Sequence, residues 1–454
     1  MRTNDRDQVV ICGMGAVTPI GNYGQDDTSF WQALLAGQNN FKSFQFGNPE
    51  THHITAHVAS EFDNFDFAPY AARIPALVEK RFRPLWPNMD RSIQLGLAAG
   101  LEALTMAGLA PDEQTTRRPN IGLIVGTSLG GGHSFEEGVR IFDERGKVNR
   151  LMFTVLNVML NGLAGMGTIS FALGGPSFAI GNACASANFA LTSGKDKIDL
   201  GYADVVLIIG NDSGTTAFQQ GCFNQMNGLS KSDGPNASKP FGEDRDGFVM
   251  GEGEGAGAVV LARKSYALET GMPILATVLG YAANSDAIHM SQPDTEGITD
   301  CMRRALKNSG LLPRDIAHVN AHATATPIGD VTEAMAIWNL FADPRLSHVN
   351  PARSPYVTAT KANLGHTLGA SGILGMISSI CSMTEGILPP MNGFEIDPKC
   401  IRPWIEKQIP VVKDNPVHIV TEKTQADIPI TLCNSFGFGG HNISVVVSRP
   451  DFQN

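Results

Sequence analysis

The chain has 454 residues, 43% hydrophobic and only 17% charged, with 44 acidic against 34 basic side chains, a net charge of −10 and 49 glycines. Soluble domains are roughly 25% charged, so this is a large body with little solvated surface and room for a sizeable subunit interface. Disorder is excluded, and an acidic chain does not grip a nucleic-acid backbone through bulk charge.

The polar start, MRTNDRDQ, leads into VVICGMGAV, which is too short for a membrane span and lacks a signal peptide's layout. The seven cysteines are odd in number and nowhere spaced C-x-x-C. Neither a disulfide framework nor a metal centre is expected, and a reducing, cytoplasmic location is. Strand-like runs recur at 9–14, 121–126, 177–181, 204–210 and 257–263, separated by helical segments. A second series lies at 274–282, 316–322, 356–362, 430–436 and 443–449. This alternation predicts an α/β fold.

ALTMAGLAPDE (103–113) is echoed by ALKNSGLLPRD (305–315), 202 residues later, each reading as a helix closed by glycine with proline shortly after. The echo points to internal duplication, with halves at 1–268 and 269–454 and no long linker between them. Charge is absent from the 44 residues between Arg150 and Lys195 and the 23 between Lys361 and Glu385. Gly, Asn and Ser interrupt both stretches, so they read as the buried middle of the protein and not as membrane spans.

Cys184, in PSFAIGNACASANFALTSG, follows a strand and opens a helix, where aligned N–H groups favour thiolate. His322 ends the strand-like HVNAH, and His366 sits five residues after Lys361 in TKANLGHTLGASG. Both fall at strand-to-turn junctions, where α/β proteins place their sites. The turn NSFGFGGHN (434–442) lacks a following GK[ST], so it is no phosphate loop. Its glycines suit close approach of a backbone N–H to an oxyanion, between Phe436 and Phe438. Gly126–Gly130 matches the G-x-S-x-G of a serine hydrolase around Ser128, but Gly130, Gly131 and Gly132 stand where that elbow needs a helix.

Taken in order, VVICGMGAVTPIGN, the Cys184 segment, PFGEDRDGFVMGEG (240–253), NSDAIHM (284–290), VNAHATATPIGD (319–330), TKANLGHTLGASG (360–372) and NSFGFGGHN resemble the elongating β-ketoacyl-acyl-carrier-protein synthases. The resemblance spans nearly the whole chain. It implies a thiolase-like fold of two duplicated βαβαβαββ halves in an αβαβα body, and a 3-oxoacyl-carrier-protein synthase, an acyltransferase that condenses malonyl-carrier protein with a cysteine-bound acyl chain, with loss of CO₂, in fatty-acid elongation. Cys184 would accept the acyl chain, His322 and His366 would complete a Cys-His-His site, and Lys361 would support the histidines. Backbone N–H groups of Cys184 and Phe438 would form the oxyanion hole, with Phe438 gating the acyl tunnel. Thr324, Thr326, Phe436 and Gly439 would meet the substrate. By the same resemblance no bound cofactor is expected, since the substrates would ride on the phosphopantetheine of an acyl carrier protein.

The resemblance further implies a homodimer, or a heterodimer with a homologous subunit in a type II polyketide or polyene pathway. A non-catalytic partner subunit would lack the cysteine. Lys80, Arg81, Arg83 and Arg91 are the expected basic dock for an acidic carrier. Cys433 reads as core. The chain departs from the family pattern at Asn182, Ala187, Ala323, His441 and above all Gly375, where a Glu normally orders the Lys-His network. That loss is expected to weaken the orientation of Lys361 and to favour a specialised ketosynthase.

Overall fold

The computed structural model describes residues 7–48, 50, 52–79, 86–146, 151–212, 216–250, 255–342, 355–391, 393–403 and 417–452. Two sets of five strands carry the architecture. The first comprises β1 (Val9–Thr18), β2 (Ile121–Gly126), β3 (Ser177–Ile180), β4 (Val205–Asn211) and β5 (Ala256–Arg263). The second comprises β6 (Ala276–Ser285), β7 (His318–Asn320), β8 (Tyr356–Thr358), β9 (Ile430–Gly437) and β10 (His441–Ser448). Both sets have one spatial order: β1-β5-β4-β2-β3 is repeated as β6-β10-β9-β7-β8. Their pairings match too, parallel at β2–β3 and β2–β4 as at β7–β8 and β7–β9, and antiparallel elsewhere. β1 and β6 pair antiparallel through Val9 and Val278, joining the two sets.

The runs Val205–Ile209 and Ala256–Ala262 are wholly buried, as expected of strands covered on both faces. The outer faces are covered by α1 (Arg91–Met106) against β1 and by α5 (Thr295–Asn308) against β6. Asp90 and Asp294 cap their N-termini, accepting from Ser92 N and Gly297 N. Gly108 (φ +70°) and Gly310 (φ +72°) turn the chain away at their ends, a left-handed conformation open to glycine. The two copies of the sequence echo thus occupy equivalent places.

Between the two half-sheets lie α4 (Ser186–Asp199) and α8 (Ser371–Glu385). Every residue of α8 from Ser371 to Met383 is buried, the pattern of a helix enclosed all round. The second charge-free stretch is therefore the middle of the molecule. The first is only partly so. Its α3 (Leu151–Val158) exposes Val155 and Leu156, so missing charge there marks an apolar surface, not a core. Just before the stretch, the charged α2 (Gly132–Arg145) also turns Phe135, Val139 and Phe142 outward on one face. Among the described residues, no helix is long and apolar enough to cross a membrane.

Candidate active site

Cys184 stands at the end of a tight elbow between β3 and α4. Ala183 takes φ +47°, and Ser186 clamps the turn, accepting from Asn182 N at 2.8 Å and donating to Ala183 O at 2.6 Å. The thiol lies just before the N-cap of α4, as expected. Its ionisation does not follow that local signal. Burial pushes the thiol up to about 12, Lys361 opposing and Asp212 adding to the rise, so desolvation outweighs the helix terminus.

The Nε2 of His366 lies 3.0 Å from Cys184 Sγ. The opposite nitrogen, Nδ1, accepts the backbone N–H of Leu368 at 3.2 Å and lies 3.0 Å from Ser371 Oγ. A nitrogen that accepts an N–H is unprotonated, so the neutral ring carries its hydrogen on Nε2, facing the sulfur. His322 meets the His366 ring at 5.7 Å and Phe436 at 5.8 Å, both edge-on. Burial, reinforced by the Lys361 charge, holds both histidines well below the ordinary imidazole range, so both are neutral. The Sγ–Nε2 separation is that of a hydrogen bond; two ligands of one tetrahedral zinc would stand about 3.5 Å apart.

Lys361, at the start of α7 (Lys361–Leu364), donates from Nζ to His322 O at 2.5 Å. Burial brings its ammonium down to about 8 against the attraction of Glu333. Glu333, on α6 (Gly329–Ala342), accepts His322 N at 2.9 Å, Ala323 N at 2.7 Å and Asn434 Nδ2 at 3.2 Å. Asp330, one turn earlier, accepts Phe241 N at 2.6 Å, and burial raises it to about 7.

Glu333 and Asp330, both on α6, attract the Lys361 ammonium and oppose the fall that burial causes. A Cβ at position 375 would run into Asn320 Oδ1, so a larger side chain there requires the buried Asn320 to move. Sequence reasoning passed over Glu333 and Asp330. Two acids three residues apart, directly after the His322 turn in a charge-poor region, were the available signal.

Cys184, His322, His366, Thr324, Thr326, Phe436 and Phe438 line one cavity of about 680 Å³. The hydroxyls of Thr324 and Thr326 are 3.2 Å apart in a turn that Arg245 holds, donating to Thr326 O and Pro327 O. Phe438 occupies the turn between β9 and β10. Gly439 does not line the cavity; its N–H donates to Met290 O at 2.7 Å and its φ is +90°, so it shapes the turn. Cys433 is buried against Met376 and Ser379.

Ser128 donates its hydroxyl to Asp212, and the helix after it begins only at Gly132, so the hydrolase elbow is not formed. Of the expected carrier dock, Lys80, Arg81 and Arg83 lie outside the described residues. Arg91 is half-buried, with its guanidinium 5.5 and 5.6 Å from the ring centroids of Phe62 and Phe65.

Comparison with known proteins agrees with this geometry. Residues 6–267 match the β-ketoacyl synthase N-terminal domain and residues 275–395 the C-terminal domain. The chain is 32% identical over 446 residues to 3-oxoacyl-[acyl-carrier-protein] synthase 2 of Vibrio cholerae, covering 97% of this chain and 99% of that one. It is 31% identical over 466 residues to the chloroplastic 3-oxoacyl-[acyl-carrier-protein] synthase I of Hordeum vulgare, covering 99% of this chain and 90% of that one. Among solved structures, the ishigamide ketosynthase/chain length factor superposes with a TM-score of 0.81 at 25% identity, over 98% of this chain and 99% of that one. A β-ketoacyl synthase from Burkholderia phymatum gives 0.81 at 26% identity, over the same shares. With its duplicated thiolase-like fold and paired domain matches, the chain belongs to the β-ketoacyl synthase family.

Proposed function

We propose that this chain catalyses decarboxylative Claisen condensation between a Cys184-bound acyl group and a malonyl thioester, both delivered by an acyl carrier protein. The observation that carries the reading is the 3.0 Å approach of His366 Nε2 to Cys184 Sγ, with His322 on the wall of the same cavity. Cys184 sulfur attacks the acyl thioester carbonyl, and the carrier's thiol leaves with the proton given up by Cys184. Backbone N–H groups of Cys184 and Phe438 stabilise the tetrahedral oxyanion.

In the second half-reaction, the malonyl carbon–carboxylate bond breaks and CO₂ departs. The electron pair is held as an enolate, whose oxygen accepts from His366 and His322. The enolate carbon attacks the acyl-cysteine carbonyl, Cys184 thiolate is expelled, and the carrier leaves with a 3-oxoacyl chain. Neutral imidazoles serve here because each still carries one ring N–H to donate. Thr324 and Thr326 bind the phosphopantetheine arm, and Lys361 steadies the His322 turn.

On this reading the halves 1–268 and 269–454 divide the work, one supplying the nucleophile and the other the donors. Met226, Met290 and Ile328 line the cavity yet are 53%, 77% and 58% exposed, an apolar rim on which a carrier delivering a thioester would rest. The outward apolar faces of α2 and α3 would suit a second subunit, as would the edge strand β3. A homodimer is the primary expectation. The likeness to a ketosynthase/chain length factor favours testing a non-identical partner as well. Incubation with acyl and malonyl carriers, followed by product analysis, tests the chemistry. Sedimentation of the purified chain at micromolar concentration tests the assembly, and a persistent monomer there would leave the homodimer without support.

A further inference from the structure

We propose that Asp212 is a positioning residue for His366: it anchors the turn Thr367–Ala370 and so keeps the ring in the tautomer that directs Nε2–H at Cys184. Asp212 follows β4 and is fully buried. Its Oδ1 accepts Thr127 Oγ1 and Leu129 N, both at 2.9 Å, and its Oδ2 accepts Ser128 N at 2.9 Å together with the Ser128 hydroxyl. These donors all come from the turn after β2, in the first half. One further donor comes from the second half, Gly369 N at 2.6 Å. A single carboxylate therefore ties the two halves together two residues beyond the end of the peptide that follows His366.

That tie bears on the histidine through Leu368. Leu368 N supplies the bond to His366 Nδ1, and Leu368 holds φ +44° to do so. A branched residue keeps such a conformation only where its surroundings over-determine it. The next amide, Gly369 N, is the one that Asp212 holds, and a Cβ on Gly369 would collide with Asp212 Oδ2. The site also demands an acceptor-only group. An amide at 212 would turn an NH₂ toward Ser128, Gly369 or Leu129, all donors. Activation of the thiol does not explain the residue, because a negative charge here opposes ionisation of Cys184.

The inference rests on the condensing reading for its relevance, but its test does not depend on turnover. In full-length protein labelled with ¹⁵N-histidine, the His366 signals, assigned by their loss in His366→Ala, are expected to show one neutral tautomer protonated at Nε2. In Asp212→Asn they are expected to show a mixture or the Nδ1–H form, and kcat for condensation is expected to fall on the order of tenfold or more while KM for the carrier stays within about twofold. Asp212→Glu, which keeps the charge, is expected to recover most of the Nε2–H signal. Should Asp212→Asn not fold, Gly369→Ala disturbs the same bond and is expected to give the same tautomer change. An unchanged His366 tautomer in a folded Asp212→Asn or Gly369→Ala protein would overturn the assignment.

Discussion

Lys361 Nζ bonds the main-chain carbonyl of His322 at 2.5 Å, so the lysine orders the first histidine through its backbone and not through its ring. Its charge also lowers the thiol pKa of Cys184 and those of both histidines. Lys361→Met removes both effects. The His322 carbonyl loses a charged donor, and the Cys184 thiol rises further. Because the wild-type ammonium is held near about 8, its support for the thiolate is present below that pH and fades above it. Alkylation of Cys184 by iodoacetamide at pH 7 is therefore expected to slow about tenfold in Lys361→Met, with a smaller difference at pH 9. Equal rates at pH 7 would show that the ammonium does not act on the thiol.

Gly375→Glu tests whether the family's missing carboxylate is a deficit. The Cβ meets Asn320 Oδ1, and the new acid would be buried on α8 beside an enclosed strand. Overpacking costs about 1–3 kcal/mol, and an unpaired buried charge adds to it. The variant is expected to lose stability by chemical denaturation and to condense more slowly than wild type. Faster condensation would mean that Glu333 and Asp330 do not replace the absent group.

His318 gives a pH prediction with a definite sign. Buried on β7, its Nε2 lies 2.7 Å from Thr358 Oγ1 and its Nδ1 3.2 Å from Thr431 Oγ1; desolvation lowers its pKa to about 3. The unfolded chain, with the imidazole near about 6.5, binds the proton first as pH falls. Stability from this neutral histidine is present above about 6.5 and lost below it, by about 2 kcal/mol between pH 7 and pH 5. Unfolding of His318→Gln over that range is expected to be shallower than wild type by this amount, whatever its absolute stability. Parallel curves would contradict the assignment of a buried neutral ring.

Much of the framework was legible because it is local. Apolar runs such as VVLIIG marked strands, and the repeated A-L-x-x-x-G-L-x-P marked equivalent helices. Cys184, His322 and His366 stood out as candidates because each sits in a small-residue turn after a strand, and the family resemblance added Lys361. Less local facts were not. Glu333 and Asp330 join the site only because α6 folds back on the His322 turn, and Asp212 only because two halves meet. The ionisation of Cys184 was misread from the helix terminus alone, since burial is set by residues far away in sequence. Likewise, absence of charge could not separate α8, which is enclosed, from α3, which faces outward.

The central claim is that acyl transfer and condensation run through Cys184. The direct measurement is intact and peptide mass spectrometry after incubation with an acyl carrier protein loaded with chains of several lengths, then chased with malonyl carrier. The expected result is one acyl adduct on Cys184, discharged by malonyl carrier as 3-oxoacyl carrier with release of CO₂, and no adduct in Cys184→Gln. An adduct on Ser128, or no adduct at any chain length from a folded protein, would contradict the account.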